Sequence, residues 1–194
     1  MKETMYEPMS PAREPHYAQI PSQALPGITR QPLHVVLDNL RSAFNVGSIF
    51  RTADAGAVAH IHLCGMTAHP PNKKLEKTAL GALDYVPWTH HVSTVETLAG
   101  LREQGIICVA IEAIDSAVPH YDFQWPRASA IVFGNEVTGI SPEVISQCDA
   151  TVRIPMRGYK NTINVATAFG VVMYELLRQW ESRPSEAGDC AATI

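Results

Sequence analysis

The sequence lacks any apolar run long enough to cross a membrane, which would take about 18 or more consecutive apolar residues. Residues 1–15 contain no apolar segment typical of a secretory signal. The four cysteines are scattered, and none belongs to a Cys-x-x-Cys pair. Two of them, Cys64 and Cys108, lie in apolar runs. We therefore expect a cytoplasmic protein whose cysteines are reduced core residues.

Charge is also scarce, with 18% charged residues and a net charge of −4. This balance argues against a protein that coats nucleic acid by bulk charge, although a local basic site remains possible. Lys73, Lys74 and Lys77 lie close together. Further cations flank two loop segments: Arg41, Arg51, Arg153, Arg157 and Lys160. Such clusters are usually solvated surface charge, and the alternative is contact with RNA phosphates.

The length of 194 residues and the 46% of hydrophobic residues fit one domain with terminal extensions. Residues 1–30 hold five prolines and few periodic apolar positions, which predicts an extended N-terminal arm. Residues 181–194 are predicted to be a loose C-terminal tail, so the domain covers residues 31–180. No internal repeat is present in the sequence.

Within the domain, strand-like apolar runs alternate with stretches of helical periodicity. The predicted strands are Leu33–Asp38, Val58–Cys64, Val86–Val92, Ile106–Glu112, Ala128–Phe133 and Ala150–Ile154. The predicted helices are Asn45–Ala55, Asn72–Leu80, Ser93–Gln104, Ser141–Gln147 and Thr162–Trp180. This alternation predicts an α/β fold with a mostly parallel six-stranded sheet and helices on both faces. Ligands bind such sheets beyond the carboxyl ends of the strands.

The segment after the first predicted strand has no Gly-x-Gly-x-x-Gly turn, which a dinucleotide site would need. Instead, Asn45 and Gly47 begin a helix that carries Arg51, and Asn45 is a candidate cap for that helix. Arg51 has apolar neighbours, and an arginine so placed usually has an anionic partner. An ordinary surface arginine is the alternative.

Two further loops follow the fifth and sixth predicted strands. In the segment FGNEVTGIS, Gly134 and Gly139 allow close approach of the backbone to a ligand, and Glu136 places a carboxylate at the sheet edge. A glycine turn with a solvated glutamate is the alternative. In the segment IPMRGYKNTINVA, Asn161 or Thr162 is a candidate cap for the long helix. The amide groups of this loop can hold a ligand, or the loop is an ordinary connection.

Taken together, the three segments resemble the SpoU (TrmH-like) branch of the SPOUT RNA methyltransferases. NVGSIFRTADA resembles the first motif of that family, FGNEVTGIS its Gly-x-Glu loop, and IPMRGYKNTINVA its Ile-Pro-Met loop ending in Ser-Leu-Asn-Val. Their order and spacing match from about Leu33 to Trp180. Thr162 and Ile163 stand where the family usually has serine and leucine, and they preserve a hydroxyl group and an apolar side chain.

The resemblance implies S-adenosylmethionine-dependent methylation of a ribose 2′-hydroxyl in RNA, with tRNA favoured over rRNA. It also implies a C-terminal trefoil knot and a homodimer with the active site near the subunit interface. The catalytic residues carried over from the family are Arg51, Asn45, Glu136, Thr162 and Asn164. The cofactor-binding residues carried over are Gly134, Asn135, Ile154, Met156 and Ile163.

Some alternatives remain open at this stage. One is a SPOUT enzyme that methylates a base, although those relatives lack the Asn45 and Arg51 arrangement. The other is a non-catalytic module that binds RNA or the cofactor. The resemblance implies that Arg51 assists either as a base or as a phosphate clamp, and the clamp is favoured because a guanidinium resists deprotonation. No metal is expected, because the histidines lack a supporting cysteine or carboxylate pattern.

Overall fold

Seven parallel strands form one sheet in the computed structural model, which describes residues 28–182. The strands are β1 Gln31–Asp38, β2 Val58–Cys64, β3 Trp88–His91, β4 Ile107–Ile111, β5 Val118–Pro119, β6 Ser129–Phe133 and β7 Ala150–Arg153. Their order across the sheet is β3-β2-β1-β6-β4-β7-β5, and every neighbouring pair is parallel. The carboxyl ends of all strands therefore lie at one edge of the sheet.

Five α-helices and a short 3-10 helix connect these strands in the described part of the chain. The helices are α1 Ala43–Ala55, α2 Lys73–Ala79, α3 Thr94–Glu103, α4 Pro142–Ser146 and α5 Val165–Ser182, and the 3-10 helix is Ala82–Asp84. Two predicted helix starts are confirmed, since Ser93 caps α3 and Ser141 caps α4 with Pro142 in its first turn. In both, the serine hydroxyl accepts a backbone N–H that the helix leaves unpaired.

Helices cover both faces of the sheet, as predicted. On one face, α1, α2 and α5 bury a cluster that includes Phe50, Phe133 and Phe169. The rings of Phe133 and Phe169 meet edge to face with centroids 5.9 Å apart. On the other face, α3 and α4 pack over a smaller cluster that contains Cys64 and Cys108, both buried free thiols as expected. Each large side chain buried in these layers contributes about 1.5–3 kcal/mol of hydrophobic stabilisation.

A glycine sets how closely α1 and α2 cross. A Cβ atom on Gly47 would lie 2.7 Å from the Cβ of Thr78 and 2.9 Å from the carbonyl oxygen of Leu75. Neither distance is possible without movement of the backbone, so only glycine permits this crossing. The basic helix α2 is thereby held against the first turns of α1.

Two sequence predictions about the elements were wrong. The sheet has seven strands rather than six, because Val118–Pro119 pairs with β7. A two-residue strand that contains proline has neither alternation nor an apolar run to reveal it. The long helix begins at Val165 rather than at Thr162, because the Asn164 side chain accepts the N–H groups of the first turn.

The predicted arm and tail lie outside the described residues, except for residues 28–30 and 181–182. The guanidinium of Arg30 donates hydrogen bonds to the carbonyl oxygens of Val58, at 3.0 Å, and Tyr85. The chain is thus attached to the sheet just before β1. Among residues 28–182, no helix combines the length and apolarity that crossing a bilayer requires.

Histidine side chains on the neighbouring strands β1, β2 and β3 lie side by side. The Nδ1 atom of His34 lies 3.1 Å from Nε2 of His62, and Nδ1 of His62 lies 3.1 Å from Nε2 of His91. The His62 ring also lies against that of His60, with centroids 4.6 Å apart. Within residues 28–182, no group of three or more such side chains has a metal-binding arrangement. Burial first, and then the charges that the neighbouring histidines would carry, lower the pKa of His62 from 6.5 to about 3.

The low pKa of His62 predicts that the folded protein loses stability in acid. Below pH 6.5 the unfolded chain protonates His62 and the folded chain does not, so the free energy of unfolding falls as pH decreases from 6.5 toward 4. His62 alone contributes a slope of about 1 kcal/mol per pH unit in this window. Urea unfolding of His62→Leu between pH 7 and pH 5 should show a smaller slope than the wild type. The exposed His69, replaced by leucine, is the control, and an unchanged slope in His62→Leu would contradict the prediction.

Candidate active site

A cavity of about 700 Å³ opens beyond the carboxyl ends of β6, β4 and β7, which are neighbours in the sheet. Its walls come from the ends of these strands and the loops that follow them, which we name the β6 loop (residues 134–140) and the β7 loop (residues 154–164). Asn45, in the first turn of α1, completes the wall. The volume lies within the range of about 300–1,000 Å³ typical of small-molecule sites.

Nine of the ten site residues predicted from the sequence lie together at this cavity. The cavity is lined by Asn45, Gly134, Asn135, Glu136, Ile154, Met156, Thr162, Ile163 and Asn164. Arg51 is the exception, since it lies further along α1 with its side chain exposed and does not line the cavity. Within residues 28–182 the guanidinium of Arg51 has no hydrogen bond or ion pair. The chemical roles assigned to these residues stay predictions.

Glu136 connects the β6 loop to the start of α1. Its carboxylate accepts hydrogen bonds from the backbone N–H of Arg41 at 2.8 Å, from that of Ser42 at 3.2 Å, and from the side-chain amide of Asn45 at 2.8 Å. Partial burial raises the pKa of this carboxyl, but these hydrogen bonds together outweigh burial, and the pKa lies below its usual value. Glu136 is therefore ionised at neutral pH and joins the β6 loop to the start of α1, although its side chain stays exposed, as the alternative of a solvated turn glutamate expected.

Asn45 extends this contact to the β7 loop. Its side-chain oxygen accepts a hydrogen bond from the amide of Asn164 at 3.1 Å. Asn164 in turn accepts the backbone N–H groups of Ala166 and Thr167, so it caps α5. The prediction that Asn161 or Thr162 caps this helix was wrong, and so was the prediction that Asn45 caps α1. Ser42 has that second role, because its hydroxyl accepts the backbone N–H of Asn45 at 3.3 Å.

Two glycines give the β6 loop its tight path. A Cβ atom on Gly134 would lie 2.4 Å from the carbonyl carbon of Gly139 and 2.5 Å from the nitrogen of Ile140. Gly139 has a φ of +68°, a backbone conformation that side chains disfavour. Asn135 fixes the turn from within, since its side-chain oxygen accepts the backbone N–H groups of Val137 and Thr138. The two glycines are therefore required by the close packing of the loop itself, rather than by the approach of a ligand to the backbone.

Glu112 is a cavity residue that the sequence reasoning missed. It follows β4, and its carboxylate accepts the backbone N–H of Ile140 at 2.8 Å and that of Ala113 at 2.9 Å. A Cβ atom on Gly139 would lie 2.6 Å from its Oε2 atom, so the β6 loop packs directly on this carboxylate. A signal was available, because Glu112 ends a predicted strand at the edge where ligands bind.

Lys160 of the β7 loop lines the cavity, and further exposed cations lie just before α1, on α1, on α2 and on the β7 loop. Seven described cations have side chains with no hydrogen bond or ion pair within residues 28–182: Arg41, Arg51, Lys73, Lys74, Lys77, Arg157 and Lys160. The other described cations bond to backbone carbonyls or carboxylates: Arg30, Arg102, Arg127, Arg153 and Arg178. Unpaired cations are thus concentrated in the segments around the site.

Comparison with known proteins agrees with this arrangement. A protein of Staphylococcus haemolyticus (strain JCSC1435), named for the TrmH family of tRNA/rRNA methyltransferases, is 34% identical over 145 residues, which are 75% of this chain and 58% of that protein. The chain therefore spans little more than half the length of this relative. The SpoU methyltransferase AviRb of Streptomyces viridochromogenes, solved in complex with AdoMet, superposes with a TM-score of 0.73 at 28% identity over 80% of this chain and 60% of that chain.

A second solved structure, described for the 2-OH methylation of C/U34 on tRNA, has a TM-score of 0.71 at 30% identity over 78% of this chain and 97% of that chain. The sequence model of the SpoU rRNA Methylase family matches residues 32–174, which include Asn45, the β6 loop and the β7 loop. With that match over most of its length, the chain belongs to the SpoU methylase family.

Proposed function

We propose that this protein is an S-adenosylmethionine-dependent RNA methyltransferase that methylates a ribose 2′-hydroxyl, with tRNA favoured over rRNA. The observation that carries the proposal is the convergence of three distant segments on one cavity through Glu136, Asn45 and Asn164. AdoMet binding by AviRb and the 2-OH methylation described for a tRNA-modifying neighbour support it. The tRNA and rRNA named for the relatives also favour a cytoplasmic location.

The cavity residues fit S-adenosylmethionine. Apolar side chains of Ile154, Met156 and Ile163 can hold the adenine, and Gly134 lines the same cavity. Bound there, the cofactor supplies a methyl group that is already activated by the positive charge of its sulfur atom. The residues around it are left with two tasks, to position the ribose and to stabilise its oxygen as the proton leaves.

Arg51 is the residue proposed for the second task. Its guanidinium is free of protein partners within residues 28–182, so it is available to a phosphate beside the target ribose. A guanidinium keeps its proton at neutral pH, which favours a role as a clamp and as a stabiliser of the developing negative charge on the 2′-oxygen. Thr162 and Asn164, at the exposed end of the cavity, can orient the ribose by hydrogen bonds.

The proposal includes a homodimer with the active site near the subunit interface. Phe44 on α1 and Val171 and Tyr174 on α5 leave large apolar surfaces exposed. The two helices pack together, since the side chain of Thr52 lies 3.7 Å from a Cβ position on Gly170. A partner that covered these helices would remove that apolar surface from water and close the side of the site where Arg51 lies.

The C-terminal trefoil knot is also part of the proposal. It is supported by the sheet order, in which β7 lies between β4 and β5 although both precede it in the chain. The chain must then return from β7 through the β7 loop to reach α1, where α5 packs. Knots are rare among folds, so this path is not expected from general rules of connection.

The proposed role of Arg51 predicts a loss of catalysis without loss of cofactor binding. Arg51→Ala should lower kcat by about 100-fold to 1,000-fold, the usual effect of removing one transition-state donor. The affinity for S-adenosylhomocysteine in calorimetry should stay within about twofold, because Arg51 lies outside the cavity. Arg178→Ala removes an exposed arginine that pairs with Glu175 and serves as the control. Wild-type turnover in Arg51→Ala would refute the assignment.

The chemical identity of the product separates ribose methylation from base methylation. After reaction with tRNA or rRNA, complete digestion to nucleosides and mass spectrometry should show the added methyl group on ribose. The methylated position should also resist alkaline hydrolysis, because strand cleavage needs the free 2′-hydroxyl as nucleophile. A methyl group on the base would support the base-methylating alternative, and no transfer to any RNA would support the non-catalytic module.

The lysines of α2 are predicted to contact RNA phosphates. Each phosphate contact contributes about 0.7–0.9 to the slope of log K against log salt concentration. Replacement of Lys73, Lys74 and Lys77 by glutamine should therefore reduce the slope by about 2, as measured by filter binding at several salt concentrations. The matched control is glutamine at three partnered arginines: Arg102, Arg127 and Arg178. Equal slopes for the two triple variants would show that α2 lies outside the RNA interface.

A further inference from the structure

Two charged residues of the cavity wall have no role in the proposed chemistry, Glu112 and Lys160, and Glu112 is the carboxylate of the pair. Glu112 follows β4, which lies between β6 and β7 at the centre of the site. Both of its oxygens accept backbone N–H groups, Oε1 from Ala113 and Oε2 from Ile140. A carboxylate accepts two such donors without needing a proton, so the geometry suits a fixed negative charge in the cavity wall.

The size of the cavity places this charge near any ligand inside it. A sphere of 700 Å³ is about 11 Å across, so a ligand at its centre lies about 5.5 Å from the wall, which is less than the Debye length of about 8 Å at physiological ionic strength. Two other charged residues line the cavity. Glu136 already accepts three hydrogen bonds from the start of α1, and Lys160 lies exposed on the β7 loop. Glu112 is thus the carboxylate on which the β6 loop packs, and no cation among residues 28–182 forms an ion pair with it.

Under the proposed function, methyl transfer changes the charge of the cofactor in the cavity. The carbon–sulfur bond of the donor breaks, its electron pair stays on sulfur, and the new carbon–oxygen bond forms with loss of the hydroxyl proton to solvent. The sulfonium cation becomes a neutral thioether in S-adenosylhomocysteine. A nearby carboxylate therefore attracts the donor more strongly than the product.

We propose that the carboxylate of Glu112 makes the cavity bind the cationic methyl donor more tightly than its neutral product. This difference in affinity promotes the exchange of product for fresh donor after each turnover. This inference rests on the proposed function, because it assumes that the cavity binds S-adenosylmethionine. It concerns binding alone and assigns Glu112 no contact with the reacting oxygen.

The test measures three ligands by calorimetry with the full chain and without RNA. S-adenosylmethionine and sinefungin carry a positive charge at the methyl-transfer position, and S-adenosylhomocysteine carries none there. Glu112→Gln should weaken the two cationic ligands by about tenfold and leave S-adenosylhomocysteine within about twofold. Glu112→Asp keeps the charge and should restore most of the preference. Glu143→Gln, on the exposed side of α4 and outside the cavity, is the matched control.

The ratio of affinities distinguishes charge from structure. The two N–H groups bond to different oxygens of Glu112, and glutamine replaces one of these oxygens by an NH2 donor, so it also loosens the β6 loop. Loosening alone would weaken all three ligands equally, and that result, or no change in any of them, would overturn the inference. Wild-type protein that bound none of the three ligands would instead refute the proposed function itself. Thermal unfolding of each variant verifies that it is folded.

Discussion

The side-chain amide of Asn45 is the interaction on which the rest of the site depends. Its nitrogen donates to Glu136 at 2.8 Å and its oxygen accepts from Asn164 at 3.1 Å. These partners lie 91 and 119 residues along the chain. An amide is suited to this position because it donates and accepts at once. Two hydrogen bonds do not offset the entropy of closing such long loops. The parallel sheet offsets this entropy by placing the strand ends at one edge. Asn45 then joins the start of α1 to the β6 loop and the β7 loop.

Helix caps and site contacts are made by the same residues, which links local structure to function. Ser42 accepts the backbone N–H of Asn45, and this leaves the Asn45 side chain free for Glu136 and Asn164. Asn164 caps α5 with its oxygen and still donates to Asn45 with its nitrogen. A change at either cap would therefore disturb both a helix start and the cavity wall. The site is rigid at its base because each contact is held by an element of the fold.

The sequence was sufficient to find the loops but not to assign every residue within them. The sheet edge and the three loops follow from periodicity and from the rule for ligand sites in parallel sheets. The caps were assigned wrongly because serine, threonine and asparagine have similar N-cap preferences and candidates lie within a few residues of one another, as Thr162 and Asn164 do. The role of Glu112 depends on the N–H of Ile140, a contact 28 residues away that no local pattern encodes.

The distribution of charge explains how a chain with net charge −4 can serve a polyanionic substrate under the proposed function. Of the seven described cations without side-chain partners, Lys160 lines the cavity and the other six lie just before α1, on α1, on α2 and on the β7 loop, while the carboxylates Glu112 and Glu136 line the cavity and accept N–H groups. Phosphates are attracted to the rim and repelled by the interior. Under the proposed function, the uncharged ribose approaches the cavity while its phosphates stay with the outer cations, and the two carboxylates of the wall favour a cationic donor. The proposed division of substrate from cofactor thus depends on where the charges lie rather than on the net charge of the chain.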